Sequence, residues 1–477
     1  MTRDAVINLK KDAVGTLHIV AFVVAAAAPL TAVIGASPAA FAYGNGAGVP
    51  GAFLIAGLLY SIFGAAFTAM SRYGGSAGGF YGYIARGMGR RASVCGAFIA
   101  VAAYSAIQIA IYSLLGLFTA QRLAAYGVII PWWGVALAAA LLVHLCGRRG
   151  LEFSGMVLGI LMALEVLVLV ALDAGIIADR GAAGGFSATG LTPGVLFGPG
   201  LGATLVFVVA SYVGFEATTI FSEEAVDPER TVPRATFYAV TIITLLYAFS
   251  TWSISQAYGD DHIAAAAAAD PSNLYFGVAQ RLFGETPRLI METLLLTSLF
   301  ASLLAFHNTI ARYIFALSRD RLLLPALGQV DRRGSPGLAA KVQSLTAMAL
   351  IGFFALLEAD PYAVVFSWLS AFATIGILAV QLMVAISVWR FFRGDACGVG
   401  LFRRAVAPAL SGLGIATCLV LVCFNLKLLS GSSSNAILFF PLIIAGIGVV
   451  GVAAAVRMRR RRPTDYARLG ELLGQMG

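Results

Sequence analysis

The chain has 477 residues, 60% hydrophobic and 12% charged, with a mean hydropathy of +0.88. Soluble domains carry about 25% charged residues, so roughly half the usual supply of surface-forming groups is missing. That excludes a water-soluble enzyme, a disordered tail protein and a disulfide-stapled secreted scaffold. The formal charge is +9, but the bases sit in short runs between apolar stretches, as membrane topology dictates and nucleic-acid binding does not.

A membrane span needs about 20 apolar residues to cross roughly 30 Å of hydrocarbon. Twelve such segments are predicted, at 14–42, 51–71, 93–123, 131–147, 153–178, 200–222, 233–258, 287–318, 340–357, 361–391, 404–426 and 436–457. The first is too long for a signal-peptide core and shows no clear cleavage site. The longest gaps, 179–199 and 259–286, are predicted to be short polar or Ala/Gly-rich loops. With the N-terminus inside, 27 of the 32 bases fall on cytoplasmic segments and leave only Arg122, Arg180, Arg281, Arg288 and Lys427 outside. The positive-inside rule then puts both termini in the cytoplasm. The five cysteines show no CxxC spacing and no neighbouring His cluster, so no metal, cofactor or disulfide framework is expected.

Spans one and six carry interruptions. In span one, Ile34, Gly35, Ala36 and Ser37 precede Pro38; Ser37 is a good N-cap and Pro38 a good first-turn residue, so a second half-helix is expected to begin there. In span six, Ser211, Tyr212, Gly214 and Glu216 fall near mid-depth. Two breaks five spans apart suggest inverted repeats whose broken helices meet at the midplane. Freed amides near Gly35, Ala36 and Ser37 would face an anion, and the carbonyls near Ala210 and Ser211 would accept from an ammonium. A zwitterionic amino acid carries both groups, although Pro38, having no N–H, removes one donor.

Four stretches carry a resemblance to bacterial permeases of the amino acid–polyamine–organocation (APC) family. They are Pro29-Leu30-Thr31 through Gly35-Ala36-Ser37-Pro38 to Gly44-Asn45-Gly46; Ser71-Arg72-Tyr73 through Gly78-Gly79-Phe80-Tyr81-Gly82-Tyr83; Tyr212-Val213-Gly214-Phe215-Glu216 with Glu223-Glu224 and Asp227 through Ala235; and His307-Asn308 with Arg312-Tyr313, Arg319-Asp320-Arg321 and Pro325. The resemblance covers nearly the whole chain. It implies an all-α membrane protein of 12 helices, with repeat one at 14–178, repeat two at 200–391, two extra spans at 404–457, a cytoplasmic N-terminus at 1–13 and a basic tail at 458–477. It further implies movement of amines by alternating access across a bacterial cytoplasmic membrane. On this resemblance Gly35, Ala36 and Ser37 match the unwound stretch that holds substrate carboxylate, and Ser211, Tyr212 and Gly214 match the unwound part of span six. Glu165 stands where several proton-coupled relatives place a lysine, which puts the lysine form of coupling in doubt.

The buried polar residues leave alternatives open. Glu165, at mid-membrane in span five where an ionised carboxylate is costly, reads as a proton carrier, as a counter-charge for a cationic substrate or sodium, or as a protonated Glu bonded to a neighbouring helix. Glu216 reads as an ammonium ligand or as an acid at a helix N-terminus. Tyr104, Gln108 and Tyr112 share one face of span three and read as pocket lining, with Gln108 the chosen contact, or as interhelical packing. Ser298, Ser302, Ser367 and Thr374 are weaker pocket candidates, and His307-Asn308 reads as structural. Glu224 and Arg230 read as a cytoplasmic gating pair or as a solvated face. No HExxH, P-loop or selectivity-filter repeat is present, which leaves a secondary transporter ahead of an enzyme or a channel. The expected cargo is an amino acid moved with a proton in preference to sodium, the alternative being a putrescine-like polyamine or other organic amine; oligomeric state is open.

Overall fold

The computed structural model describes residues 15–70, 79–148, 155–183, 185–216, 227–330, 336–394, 398–429, 435–467 and 469. Among them no β-strand occurs, as hydrocarbon demands of an unclosed chain, because only a helix satisfies every backbone group within its own segment. The helices are α1 (Thr16–Ala26), α2 (Ser37–Tyr43), α3 (Val49–Ala69), α4 (Gly79–Met88), α5 (Arg90–Ala124), α6 (Trp132–Arg148), α7 (Gly155–Ala183) and α8 (Leu201–Ala210). After these come α9 (Pro228–Tyr258), α10 (Ile263–Ala269), α11 (Leu274–Phe283), α12 (Glu285–Arg319), α13 (Gly337–Leu356), α14 (Ser367–Gly394), α15 (Ala407–Phe424), α16 (Phe440–Arg461) and α17 (Pro463–Ala467). Nine helices among the described residues are long and apolar enough to cross a membrane, and Thr31–Tyr43, Trp132–Gly147 and Leu201–Ala210 are shorter apolar helices.

Most of these helices overlie the apolar segments of the sequence to within a few residues, while in the segment 200–222 the α-helix covers only Leu201–Ala210 and 217–222 lie outside the described residues; two further expectations need correction. The gap 259–286 is helical rather than loop: the Ala264–Ala269 run, built from the strongest helix former, lies in α10, and α11 follows it. Likewise α7 continues to Ala183, beyond the predicted end.

One face of the bundle is buried core and the other is apolar and exposed, with Leu58, Leu167, Leu245, Leu442 and Val449 standing on the outside. Exposed apolar side chains in this number are a liability in water and a requirement in lipid. Helix association in lipid has no hydrophobic drive of its own and depends on close packing, so small residues mark the contacts. At Gly87 of α4 a Cβ would lie 2.2 Å from the carbonyl oxygen of Ser387 in α14, and at Gly202 of α8 it would lie 2.1 Å from that of Leu421 in α15. Both obstacles are backbone and cannot rotate away. Gly87→Ala should therefore lower stability by about 1–3 kcal/mol, the usual cost of overpacking. Gly159→Ala, with nothing within 4 Å, should be neutral or stabilising; thermal melting of the two purified variants checks the contrast.

Candidate functional site

The interruption in the first span lies about ten residues before the position expected from Ser37. Helix α1 ends at Ala26, Ala28 takes φ 47°, and the chain re-enters helical structure through Pro29 into a wide π-helical turn, Thr31–Ala36, that runs on into α2. The cause is Pro29. Proline drives the preceding residue out of the right-handed helical region and brings no N–H of its own. Ser37 is consequently no N-cap: its N–H reaches the Ala32 carbonyl, its hydroxyl donates to the Val33 carbonyl at 2.6 Å, and the same hydroxyl pairs with the Tyr275 hydroxyl at 2.6 Å.

Side chains repair both ends of the break. The Ala27 carbonyl, left without a helical N–H, accepts from the Tyr247 hydroxyl at 3.0 Å. On the other side, the Leu30 amide donates to Glu165 Oε2 at 3.4 Å, and Ser298 donates to the same oxygen at 2.9 Å. Thr31 adds a longer contact to Ser298 at 3.3 Å. Glu165, only 5% exposed, thus sits at the amino end of the second half of the broken helix, where the unpaired amides and the peptide dipoles favour negative charge.

The second break follows α8, which stops at Ala210 in a turn with Gly214 at φ 114°. Glu216 folds back over that turn: Oε2 accepts from the Gly214 amide at 2.9 Å and Oε1 from the Tyr104 hydroxyl at 2.6 Å.

Between the breaks lies a cavity of about 50 Å³. Its wall includes Ala27, Ala28, Thr31, Ala32 and Ala36 from the first break, and Ala210, Ser211 and Val213 from the second. Ile107 and Ile111 of α5, Ser302 and Phe306 of α12, and Phe366 and Ser370 at the start of α14 complete it. Ser370 is fully buried and its hydroxyl has no hydrogen-bond partner.

Of the residues singled out in the sequence, Ala36 and Ser211 line this cavity, as does Ser302 among the weaker candidates. Ile34 is 1% exposed in the core; Gly35 faces Leu114 and its carbonyl accepts from the Tyr362 hydroxyl at 2.9 Å. Tyr212 turns away, stacked on Tyr60 with ring centroids 4.8 Å apart and hydrogen-bonded to Thr244 and the Phe53 carbonyl. Gln108 donates to the Leu303 carbonyl and accepts from Gln343, so it joins α5 to α12 and α13. The α5 face toward the cavity is the one bearing Ile107 and Ile111, one residue round from the polar stripe. Arg230 is exposed and paired with Asp227 at 3.7 Å, while Glu223 and Glu224 lie outside the described residues. Sequence reasoning missed Ala27, Ala28, Thr31 and Ala32 around Pro29, which was their one signal, and the apolar residues Ile107, Ile111, Val213, Phe306 and Phe366, which had none.

Apolar helices broken beside a shared cavity are an arrangement that solute-carrying membrane proteins use. The amino acid permease family model matches residues 18–466, and the chain belongs to that family, whose members are transporters rather than enzymes. The chain is 27% identical over 292 residues to the general amino-acid permease of Saccharomyces cerevisiae, covering 58% of this chain and 45% of that protein. It is 23% identical over 215 residues to a branched-chain amino acid permease of Lactococcus lactis, covering 45% and 43%. To a low-affinity putrescine importer of Escherichia coli it is 27% identical over 168 residues, covering 32% and 36%. The chain spans less than half the length of each of these relatives.

The two kinds of hydroxyl at the site separate by experiment. Tyr247→Phe leaves the buried Ala27 carbonyl unsatisfied and should cost about 1–3 kcal/mol of stability. Ser370→Ala removes no bond and should leave the melting temperature unchanged, so any loss of ligand affinity in that variant reports direct contact.

Proposed function

We propose that the protein is a secondary transporter that imports amino acids across the cytoplasmic membrane by alternating access, coupled to protons through Glu165. The observation that carries this reading is the Glu165 carboxylate bonded to the Leu30 amide at the break that walls the cavity. An ionised carboxylate at mid-membrane costs about 2.5–3.5 kcal/mol on insertion scales, and a helix amino end returns up to about 2 kcal/mol of it in partly buried geometry. When the second half of the broken helix swings away, the carboxylate loses that support and takes up a proton; when it returns, the proton is released. Movement of the wall and loading of the proton are then one event.

The wider architecture belongs to the same reading: twelve spans, repeats at 14–178 and 200–391 with inverted topology, and both termini cytoplasmic by the distribution of bases. Ser211 and Ala36 on the cavity wall contact the substrate in this reading, Gly214 and Glu216 shape the second break beside it, and Glu224 with Arg230 remains the proposed inner gate. The cavity wall among the described residues offers hydroxyls and apolar groups but no carboxylate, which favours a small amino acid with an apolar side chain. The second reading, a polyamine importer, has the putrescine-importing relative behind it and would need Glu165 and Glu216 to hold two ammonium groups. Glu216 is already engaged by Tyr104 and the Gly214 amide, so that reading ranks below the first.

Reconstituted in proteoliposomes, the protein should accumulate amino acid when the outside is made acid. Glu165→Gln should abolish accumulation yet leave substrate exchange, since the gate still moves but no proton is carried. Uptake that requires sodium and ignores pH overturns the coupling, and accumulation of putrescine in place of amino acids overturns the cargo.

A further inference from the structure

We propose a second binding site, for the zwitterionic head of an amino acid, in the outer mouth of the bundle. It rests on the reading of amino acids as cargo. A cavity of about 270 Å³, several times the size of the one at the breaks, lies where the carboxyl end of α5 meets the amino end of α12. The opposite ends of these two helices carry Arg90, Arg91, Arg312 and Arg319, so the positive-inside rule turns this mouth outward.

Its wall is chemically divided. Arg122 and Arg288 face Glu292 and Asp270, while Phe118, Phe276 and Leu295 form an apolar floor. Two cations and two carboxylates line it, and a third carboxylate, Glu285, pairs with both arginines from its edge. Arg288 Nε holds Glu292 Oε1 at 3.0 Å, but the remaining pairs are loose: Arg122 to Glu292 Oε2 at 3.4 Å, Arg288 to Glu285 at 3.8 Å and Arg122 to Glu285 at 3.9 Å. Glu292 Oε2 is buried and accepts no hydrogen bond, a deficit that calls for a donor.

A zwitterion satisfies this arrangement. Its ammonium supplies the donor that Glu292 Oε2 lacks, and its carboxylate takes the guanidinium fork of Arg122, a geometry suited to two parallel hydrogen bonds. An apolar side chain then rests on Phe118 and Phe276. Ion pairs are exchanged rather than lost, and the zwitterion adds no net charge. A diamine has no carboxylate to occupy the Arg122 fork and would leave that guanidinium without its exchanged partner, so the mouth favours amino acids over polyamines.

The outer cavity shares its walls with the inner one. Ile111 and Phe118 on α5, and Ser302 and Leu295 on α12, are each seven residues apart, about 10 Å along a helix. Leu114 and Leu299, both fully buried, occupy the intermediate level of the same two helices. The outer site is therefore placed as an antechamber, about two turns from the inner cavity along the same two helices.

Equilibrium binding of radiolabelled L-leucine, L-alanine and putrescine to the purified full chain tests this. Wild type should bind two amino acid molecules per chain. Ala125→Trp, at an exposed position on the cavity wall that carries no charge, should bind one, as should Ala32→Trp in the inner cavity. Arg122→Gln should raise the KM for uptake about tenfold, with Arg122→Lys recovering part of it. One amino acid per chain in wild type, unchanged by Ala125→Trp while uptake persists, overturns the outer site alone. Outer-site binding of putrescine as tight as that of the amino acids also overturns it. A wild-type chain that neither binds nor takes up amino acids overturns the functional reading beneath it.

Discussion

The arrangement of the molecule depends on one hydrogen-bonding constraint. In hydrocarbon no water can serve an unpaired peptide group, so any interruption of a spanning helix must be completed by side chains. At Ala27 the completion comes from the Tyr247 hydroxyl of α9, and at Leu30 from Glu165 of α7. Helices α1, α7 and α9 are thereby tied at the break itself, and Ser298 adds α12 to the same knot. The tie through Tyr247 is permanent chemistry. The tie through Glu165 depends on protonation, because a neutral carboxyl gains little from helix dipoles and accepts a hydrogen bond less strongly than a carboxylate. One half of the break is anchored and the other is conditional, as a hinge requires.

How much of this could be read in the sequence varied with the signal each feature leaves. Apolar length is additive over some twenty residues, and the long helices accordingly stand where hydropathy puts them. Glu165 was conspicuous because a lone carboxylate in an apolar run has few innocuous explanations. The position of the first break was misread because Ser37-Pro38 is a strong helix-start signal for chains in water, whereas here a wide helical turn passes straight through it. Ala28-Pro29 carried the true signal, a residue forced out of helical geometry by the proline after it. The cavity wall was harder still. Alanines advertise nothing, and on α5 the polar residues that drew attention are one position round from the isoleucines facing the cavity. Gln108 pairs with Gln343 and Leu303, contacts that depend on tertiary approach and leave no trace in local spacing.

The small size of the inner cavity bears on specificity in a way that single contacts do not. With hydroxyls from Thr31, Ser211, Ser302 and Ser370 set among alanine, isoleucine and phenylalanine, the wall offers few charges to distinguish one amine from another. Apolar contacts discriminate weakly, at about 1–3 kcal/mol for a methylene, so a site of this composition separates cargo by volume more readily than by charge. Charge discrimination then has to be exercised elsewhere along the route. The proposed outer site would supply it, since Arg122, Arg288, Asp270 and Glu292 lie together there. Separating the two tasks has a physical advantage. A charged filter that is partly hydrated releases cargo easily, whereas the same four charges at mid-depth would bind too tightly or cost too much to bury. On the proposed reading, the broken helix with its carboxylate brace would supply the movement and the charged mouth the choice of head group.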